Sequence, residues 1–169
     1  VNGTLNCGTN TVSGAGSFVT AAASTLGIGS TAGITASGAS GNIQTTTRTF
    51  SSSGNYTYNG AANQAAGNGL PAGINNLVIA NTGGALNNMV SLSGSLTVNG
   101  FSTLGSGVLS IGSNTLTLNV AVSGSGTLTG TASAGISTSN LVIGGTALNQ
   151  TLNFTQTSAA TRSLNNLTL

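Results

Sequence analysis

The sequence has 169 residues and contains no Asp, Glu, Lys or His, so that Arg48 and Arg162 carry its only side-chain charges. General acid–base catalysis near neutral pH relies on His, Asp, Glu or Lys. Carboxylate ligands for calcium or magnesium are missing, and one Cys without His cannot supply a zinc site. We therefore expect no enzymatic activity, no cofactor and no metal.

The scarcity of charge and of long apolar runs excludes two kinds of partner. The net charge is +2, and two arginines far apart in the chain form no basic patch of the kind that binds phosphates. No apolar run approaches the ~18 residues that span a bilayer. We expect neither nucleic-acid binding nor membrane insertion. A nearly uncharged surface tends to self-associate, which favours an assembling protein.

Small polar residues dominate what is present: Gly 27, Thr 27, Ser 23 and Asn 21 make up more than half of the chain. Apolar and small polar residues alternate over 95–99, 115–122 and 151–155. Alternation of period two, with β-branched residues, predicts half-buried strands. Asn-Gly pairs between these segments predict turns. The best helical candidate, residues 61–66, is short and uncapped.

A degenerate unit of about a hundred residues recurs along the chain. Residues 5–12 align with 109–116, and 74–79 (Ile-Asn-Asn-Leu-Val-Ile) align with 164–169 (Leu-Asn-Asn-Leu-Thr-Leu). These matches relate 1–80 to 105–169. We predict a single segment over 1–169.

A shorter period lies inside this unit. Leu5 to Leu26 is 21 residues, Leu77 to Leu96 is 19, and from there to Leu116 is 20. Strands at this interval with Gly and Asn corners predict an all-β fold, a parallel β-helix (β-solenoid) of about eight right-handed coils of ~20 residues and roughly 40 Å in length. The alternative is a pair of immunoglobulin-like sandwiches.

Several stretches resemble a known class of protein. Residues 41–50 (Gly-Asn-Ile-Gln-Thr-Thr-Thr-Arg-Thr-Phe), 55–60 and 107–118 are similar to Gly/Thr/Asn-rich β-strand repeats of very large Bacteroidetes surface proteins. The resemblance implies an adhesin or filament of the bacterial cell surface, located outside the cell. It also implies export as type IX secretion cargo, a route that rests on the resemblance alone.

Four side chains are candidates for contact with a partner. Arg48 and Arg162 have no side-chain carboxylate to pair with, so we expect solvated corner residues or contacts to backbone carbonyls, aromatic faces, another subunit or an acidic glycan. Tyr56 and Tyr58 flank one residue and therefore face the same side of a strand. Facing outward, they would form an aromatic platform for sugar rings or a partner; facing inward, they are core.

The remaining unusual residues suggest core positions. Cys7, the only cysteine, stands where the internal repeat has an Ile, which favours a small buried hydrophobe; an intermolecular disulfide is the alternative. We assign the phenylalanines to the core or to a plug at a coil end: Phe18, Phe50, Phe101 and Phe154.

The sequence supports three functional hypotheses. The preferred one is a structural repeat segment that forms or extends an extracellular fibre or adhesin stalk, by stacking coil on coil within a longer chain or end to end between copies. The second is an adhesive module that binds a glycan or a surface. The third is an ice-binding face, which requires aligned Thr columns. The candidate threonines are Thr97, Thr115, Thr117, Thr127 and Thr129.

Overall fold

The computed structural model describes residues 1–133, 136–145, 151–155 and 158–169. In these ranges the chain consists of short strands, turns and a 3₁₀ helix at Ala160–Arg162. The all-β prediction is confirmed. The strands are β1 Thr4–Asn6, β2 Val12–Val19, β3 Thr25–Ile28, β4 Ile43–Thr49, β5 Asn55–Tyr58, β6 Gln64–Ala65, β7 Gly73–Ile74, β8 Leu77–Ala80, β9 Met89–Ser91, β10 Leu96–Val98, β11 Ser102–Ser106, β12 Val108–Ser110, β13 Thr115–Leu118, β14 Val122–Ser123, β15 Thr127–Thr129, β16 Ala132–Ser133, β17 Ile136–Ser137, β18 Asn140–Ile143 and β19 Asn166–Thr168.

Most of these strands belong to three parallel sheets. The first has the order β1-β3-β5-β8-β11-β14, the second β7-β10-β13-β18-β19 and the third β6-β9-β12-β15. Strands β2 and β4 form a separate parallel pair, and β16 and β17 an antiparallel hairpin. Parallel pairing differs from the antiparallel sheets of an immunoglobulin-like sandwich.

The first sheet aligns its inward side chains in two columns. One column contains Leu5, Leu26, Tyr56, Leu77, Ser102 and Val122. The other contains Ile28, Tyr58, Ile79 and Leu104. Successive side chains of a strand point to opposite faces. The alternation that the sequence shows therefore places one set of residues in the core and leaves the other set outside.

The second and third sheets repeat this arrangement. Two columns of the second sheet are Leu96–Leu116–Leu141–Leu167 and Ile74–Val98–Leu118–Ile143. A column of the third sheet is Gln64–Val90–Leu109–Leu128. Apart from Leu167, every one of these side chains is buried. The columns of the three sheets belong to one hydrophobic core with a single amide side chain among them.

Strand number increases in the same direction along each sheet, and we call each step along this stack of strands a level. The chain passes repeatedly from the second sheet to the first, from β7 to β8, from β10 to β11 and from β13 to β14. Each passage connects strands at corresponding levels, so strand number rises the same way in both sheets. Strand β1 therefore lies at the low end of the fold and β19 at the high end.

The structure corrects one predicted interval. Leu5 pairs with Leu26, and Leu96 pairs with Leu116, as their spacing predicts. Leu77, however, pairs with Tyr56 and Ser102 in the first sheet, whereas Leu96 lies in the second. The interval of 19 residues therefore leads to another face of the core. The reason is that every face carries alternating Leu residues, so spacing alone does not distinguish the faces.

The phenylalanines only partly follow their assignment to the core. Phe18 is buried and its ring lies 6.0 Å from that of Phe50, tilted by 49°. Phe50 and Phe154 are half-buried and pack against the core. Phe101 is 61% exposed. It follows a corner and precedes the first inward residue of β11, so its side chain projects outward. Of its two predicted positions, the core is wrong, and a plug at a coil end stays a prediction.

Candidate functional site

Arg48 of β4 is held by its own chain. Its Nε donates to the carbonyl of Thr45 at 3.0 Å, and its Nη1 donates to the carbonyl and the Oγ1 of Thr35 at 3.0 and 2.7 Å. Its Nη2 contacts the carbonyl oxygen of Gly38. These bonds use four of the five guanidinium donors. Through these bonds Arg48 stabilises the conformation of the segment between β3 and β4. All four bonds are to residues of its own chain.

Arg162 has different surroundings. It is the last residue of the 3₁₀ helix, and its side chain is exposed. Arg48, by contrast, is half-buried. Of the two arginines, Arg162 is therefore the one placed on the outer surface, and its contact with a partner stays a prediction.

Tyr56 and Tyr58 face the core of the first sheet, which is the inward alternative of the two that the sequence left open. Each is 1% exposed. The hydroxyl of Tyr56 donates to the carbonyl of Ser51, and that of Tyr58 to the carbonyl of Ala66, each at 2.7 Å. Burial raises the pKa of both phenols, most strongly that of Tyr58. Their ring faces are covered and offer no platform to a sugar.

Cys7 follows β1 and is also buried, with 4% of its surface exposed. It is not in a disulfide. Burial raises the pKa of its thiol, which disfavours the reactive thiolate. In the folded chain this residue acts as a small hydrophobe.

The threonines proposed for ice binding do not form an uninterrupted column. Thr97 and Thr117 are neighbours, but the positions on either side of them are Gly73 and Val142. In the third sheet Thr127 aligns with Val108, and Thr129 is buried. Threonines therefore alternate with other residue types along the outer faces.

Asparagine side chains connect successive levels of the sheets. Asn55 Oδ1 accepts hydrogen bonds from the side-chain amides of Asn75 at 2.9 Å and Asn76 at 2.8 Å. The Oδ1 of Asn76 in turn accepts the backbone N–H of Phe101 at 2.7 Å, one level higher. The Asn-Asn pair thus bonds downward to one strand and upward to the next.

The second Asn-Asn pair repeats the lower half of this arrangement. Asn140 Oδ1 accepts hydrogen bonds from the side-chain amides of Asn165 and Asn166, both at 3.0 Å. Asn166 is the first residue of β19, the outermost strand of its sheet. The two pairs are the ones that the internal repeat aligns. No described strand lies above β19 in this sheet, so the upper half of the arrangement is not seen for this pair.

At two positions a glycine lies on the level above an asparagine amide. A Cβ on Gly100 would lie 2.2 Å from Asn76 Oδ1 and 2.9 Å from the carbonyl oxygen of Asn75. A Cβ on Gly27 would lie 2.6 Å from Asn6 Oδ1. Both distances are far below van der Waals contact. At these two positions the amide therefore leaves no room for a Cβ on the residue above it.

Comparison of the chain with protein-family models, with curated proteins and with solved structures finds no match. Within the described residues, no group of three or more His, Cys, Asp or Glu side chains is placed to bind a metal ion. In the same part of the chain, no helix is long and apolar enough to cross a membrane.

The most distinctive exposed features are the two ends of the strand stacks. At the high end, Leu167 of β19 is 57% exposed and Leu169 is 80% exposed. Leu167 continues the column of Leu141, whose exposure is 1%. At the low end, Leu5 of β1 is half-buried and begins the column of Leu26. Among the described strands, β1 and β19 are thus the outermost of their sheets, and each lies beside an incompletely covered apolar column.

The candidate contact residues named from the sequence did not include these Asn-Asn pairs. A signal was available, because the repeat aligns 74–79 with 164–169 and the segment Val-Asn-Gly occurs at both 1–3 and 98–100. The pattern identifies equivalent positions, but it does not say which residue lies above which. That relation depends on the register of strands that are twenty or more residues apart in the sequence.

Proposed function

We propose that this chain is a β-solenoid of about eight right-handed coils and that it serves as a rod segment of a bacterial surface fibre or adhesin stalk. Its role is mechanical: it separates or joins whatever lies at its two ends. The observation that carries the proposal is the register of the three parallel sheets, in which inward residues continue from strand to strand as columns. In a solenoid each coil is stabilised by its neighbours, so length is added without a new core.

The connections between the sheets support this architecture. From β7 onward the chain visits the second, first and third sheets in turn, through β7-β8-β9, β10-β11-β12 and β13-β14-β15. Three strands per circuit, each stacked on its counterpart in the circuit before, is the arrangement of a three-sided coil. At the strand spacing of about 4.8 Å, eight coils give a rod of roughly 40 Å.

The chemistry of the surface supports a passive role. The described side chains that bridge levels are amides and hydroxyls, as in the bonds from Asn119 to Asn99 and from Asn75 to Asn55. Such bonds do not depend on ionisation. The rod is therefore suited to an environment in which salt and pH vary, as they do outside a cell. The resemblance to Bacteroidetes surface proteins supports the same location.

The two alternative functions have less support. The aromatic platform expected for glycan binding needs Tyr56 and Tyr58 to face outward, and their rings are buried. Ice binding requires a regular lattice of threonines, and the outward column that contains Thr97 and Thr117 also contains Gly73 and Val142. We therefore propose the structural role alone.

Small-angle X-ray scattering of the purified chain tests the rod. We expect an elongated particle whose scattering is unchanged between about 0.05 M and 1 M salt and between about pH 5 and pH 8. Unfolding or expansion of the particle at high salt would contradict the proposal, because the chain has no side-chain ion pairs for salt to screen. The same change at the acid limit would also contradict it, because no side chain titrates between about pH 5 and pH 8. A compact, near-spherical particle would also contradict it.

The surface location needs its own test. Antibodies against the chain should label intact, unpermeabilised cells of the source organism. As a matched control, antibodies against an interior protein should label only permeabilised cells. Labelling that requires permeabilisation would refute the extracellular part of the proposal and leave the rod untouched.

A further inference from the structure

We infer that three Asn-Gly corners are latent sites of spontaneous deamidation, which the folded chain suppresses through the hydrogen bond that each corner glycine donates. The three corners are Asn59-Gly60, Asn68-Gly69 and Asn99-Gly100. At the first of them this suppression depends on one side chain, that of Gln64. The modification is an intrinsic reaction of the chain, and it does not depend on whether the chain forms a rod.

The reaction needs only the Asn-Gly sequence and water. The backbone nitrogen of the glycine loses its proton and bonds to Cγ of the asparagine, while the bond from Cγ to Nδ2 breaks and the side-chain nitrogen leaves as ammonia. Water then opens the five-membered imide at either of its carbonyl groups and gives aspartate or isoaspartate. Glycine favours the first step, because it has no Cβ beside the attacking nitrogen and leaves the backbone free to turn.

At two of the corners the attacking nitrogen is bonded to a backbone carbonyl. The N–H of Gly69 donates to the carbonyl of Ile34 at 2.8 Å, and that of Gly100 donates to the carbonyl of Asn75 at 2.7 Å. Each bond joins the corner to a distant segment of the chain and fixes the direction of the nitrogen. Attack on Cγ therefore requires a local opening that breaks this bond first.

The asparagine side chains of the same two corners are also bonded. Asn68 Oδ1 accepts the N–H of Ala36 at 3.1 Å. Asn99 Oδ1 accepts a hydrogen bond from Asn119 Nδ2 at 3.0 Å. Both reacting groups are therefore held in positions that serve the contacts between levels, and both must be released before the imide can form.

The corner Asn59-Gly60 is held differently. The N–H of Gly60 donates to a side chain, Gln64 Oε1, at 3.0 Å. Asn59 Nδ2 donates to Asn6 Oδ1 at 2.9 Å, but the Oδ1 of Asn59 is buried without a partner among the described residues. Moving this amide into water would satisfy its oxygen, so the asparagine resists release only weakly. The bond from Gly60 to Gln64 is therefore the main restraint at this corner.

The packing does not allow a less reactive sequence at these corners. A residue larger than glycine would slow the reaction, but a Cβ would lie far inside van der Waals contact at each of the three positions. The shortest distances to a neighbouring atom are 2.7 Å at Gly60, 2.7 Å at Gly69 and 2.2 Å at Gly100. The fold therefore requires the reactive sequence and limits its reaction through hydrogen bonds.

Deamidation at a corner would disturb the stack of strands. It would place a carboxylate in a chain that has no Asp or Glu, and isoaspartate would add one carbon to the backbone of the corner. The carbonyl of Gly60 accepts the N–H of Thr82 at 2.8 Å, one level higher. A lengthened backbone would displace this carbonyl, so we expect the modification to weaken the contact between the two levels.

The substitution Gln64→Leu tests the inference, because it removes the acceptor of the Gly60 N–H and leaves the other two corners unchanged. Aspartate and isoaspartate at each corner are measured by peptide mass spectrometry during incubation at about pH 8, with the urea-unfolded chain as reference. In the parent chain each corner should react at least about tenfold more slowly than in the reference. In the variant the rate at Asn59 should rise about tenfold over the parent, and the other two rates should stay within about twofold.

The matched control lowers stability without touching this corner. Leu116 is fully buried in the second sheet, so Leu116→Ala leaves a cavity in the core and keeps the bond between Gly60 and Gln64. It should leave the rate at Asn59 as slow as in the parent. If Leu116→Ala raises this rate as much as Gln64→Leu does, the reaction follows general unfolding and the role of Gln64 is refuted.

Hydrogen exchange followed by NMR adds a readout that needs no variant. In the parent chain the amide of Gly60 should exchange slowly, and exchange as fast as that of a free amide would overturn the inference. Equal deamidation rates in the folded and unfolded parent would also overturn it, as would a folded Gln64→Leu chain with Asn59 as slow as in the parent. If that variant does not fold, all three corners should react at the unfolded rate, and the exchange of Gly60 in the parent decides.

Discussion

A buried amide in the third sheet gives the sharpest test of how this core is held together. Gln64 of β6 stands in an inward column next to Val90 and is 3% exposed. Its Nε2 donates to the carbonyls of Ile28 at 2.9 Å and Ser30 at 3.1 Å. Its Oε1 accepts from the N–H of Gly60 and from Asn81 Nδ2, both at 3.0 Å. Every hydrogen-bonding group of this side chain is therefore used.

The substitution Gln64→Leu keeps the volume and removes all four bonds. The N–H of Gly60 has no other acceptor among those described and would be left unpaired, at a cost of about 2 kcal/mol. Asn81 Nδ2 keeps its bond to Ala62, and the two carbonyls keep a backbone donor each, so three further bonds cost about 1 kcal/mol each. Burial of the leucine offsets about 2 kcal/mol. We expect a net loss of about 3 kcal/mol.

Chemical and thermal unfolding followed by circular dichroism measure this loss. For a chain of this length, about 3 kcal/mol corresponds to a fall in Tm of about 6 to 12 °C. The matched control is Gln44→Leu in β4, a half-buried glutamine with one side-chain bond, to the carbonyl of Gly41 at 3.0 Å. It should lose less than about 1 kcal/mol. Equal losses for the two variants would refute the argument that satisfied amides hold the core.

Three further predictions follow from single features. The hydroxyl of Ser102 is buried in an apolar column without a partner among the described residues, so Ser102→Ala should raise the free energy of unfolding by about 1 kcal/mol in urea titration. Gly100→Ala should lower it by about 2 kcal/mol, because the new methyl would overlap the amide below, whereas Gly94→Ala should change little. Burial raises the pKa of Cys7 and of both tyrosines above their ordinary values of 9.0 and 10.0. As the pH rises, the unfolded chain therefore loses these protons before the folded chain does. The free energy of unfolding, measured across a pH series, should be flat between about pH 5 and pH 8 and should fall above about pH 9. A fall on the acid side would contradict this.

The fold class was predictable because alternation is a local property. Segments such as 115–118 (Thr-Leu-Thr-Leu) place Leu116 and Leu118 on one face whatever the rest of the chain does, and Asn-Gly pairs mark the corners. The assignment of strands to faces was less predictable. Leu77 and Leu96 have the spacing of one coil but belong to different sheets, because the length of each corner differs and no local signal records it.

The candidate site was predicted less well than the fold. Arg48 stands out in the sequence as a rare charge, yet its donors bond to Thr45 of β4 and to Thr35 and Gly38 between β3 and β4. Gln64 lies in the best helical candidate, residues 61–66, but forms a strand whose amide is buried. In both cases some of the deciding contacts, such as Arg48 with Thr35 and Gln64 with Ile28, join residues more than ten positions apart, and composition does not reveal them.

The near absence of charge changes how such a chain can recognise its own coils. Where salt bridges are missing, selectivity for one level over another must come from shape and from directed hydrogen bonds. The amide of Asn76 supplies both, because its Oδ1 accepts the N–H of Phe101 and leaves no room for a Cβ on Gly100. Asn6 supplies the steric part, since a Cβ on Gly27 would lie 2.6 Å from its Oδ1. A strand slipped by one residue would place a side chain over the Asn76 amide and lose its bond, so this amide also fixes the register of β8 and β11.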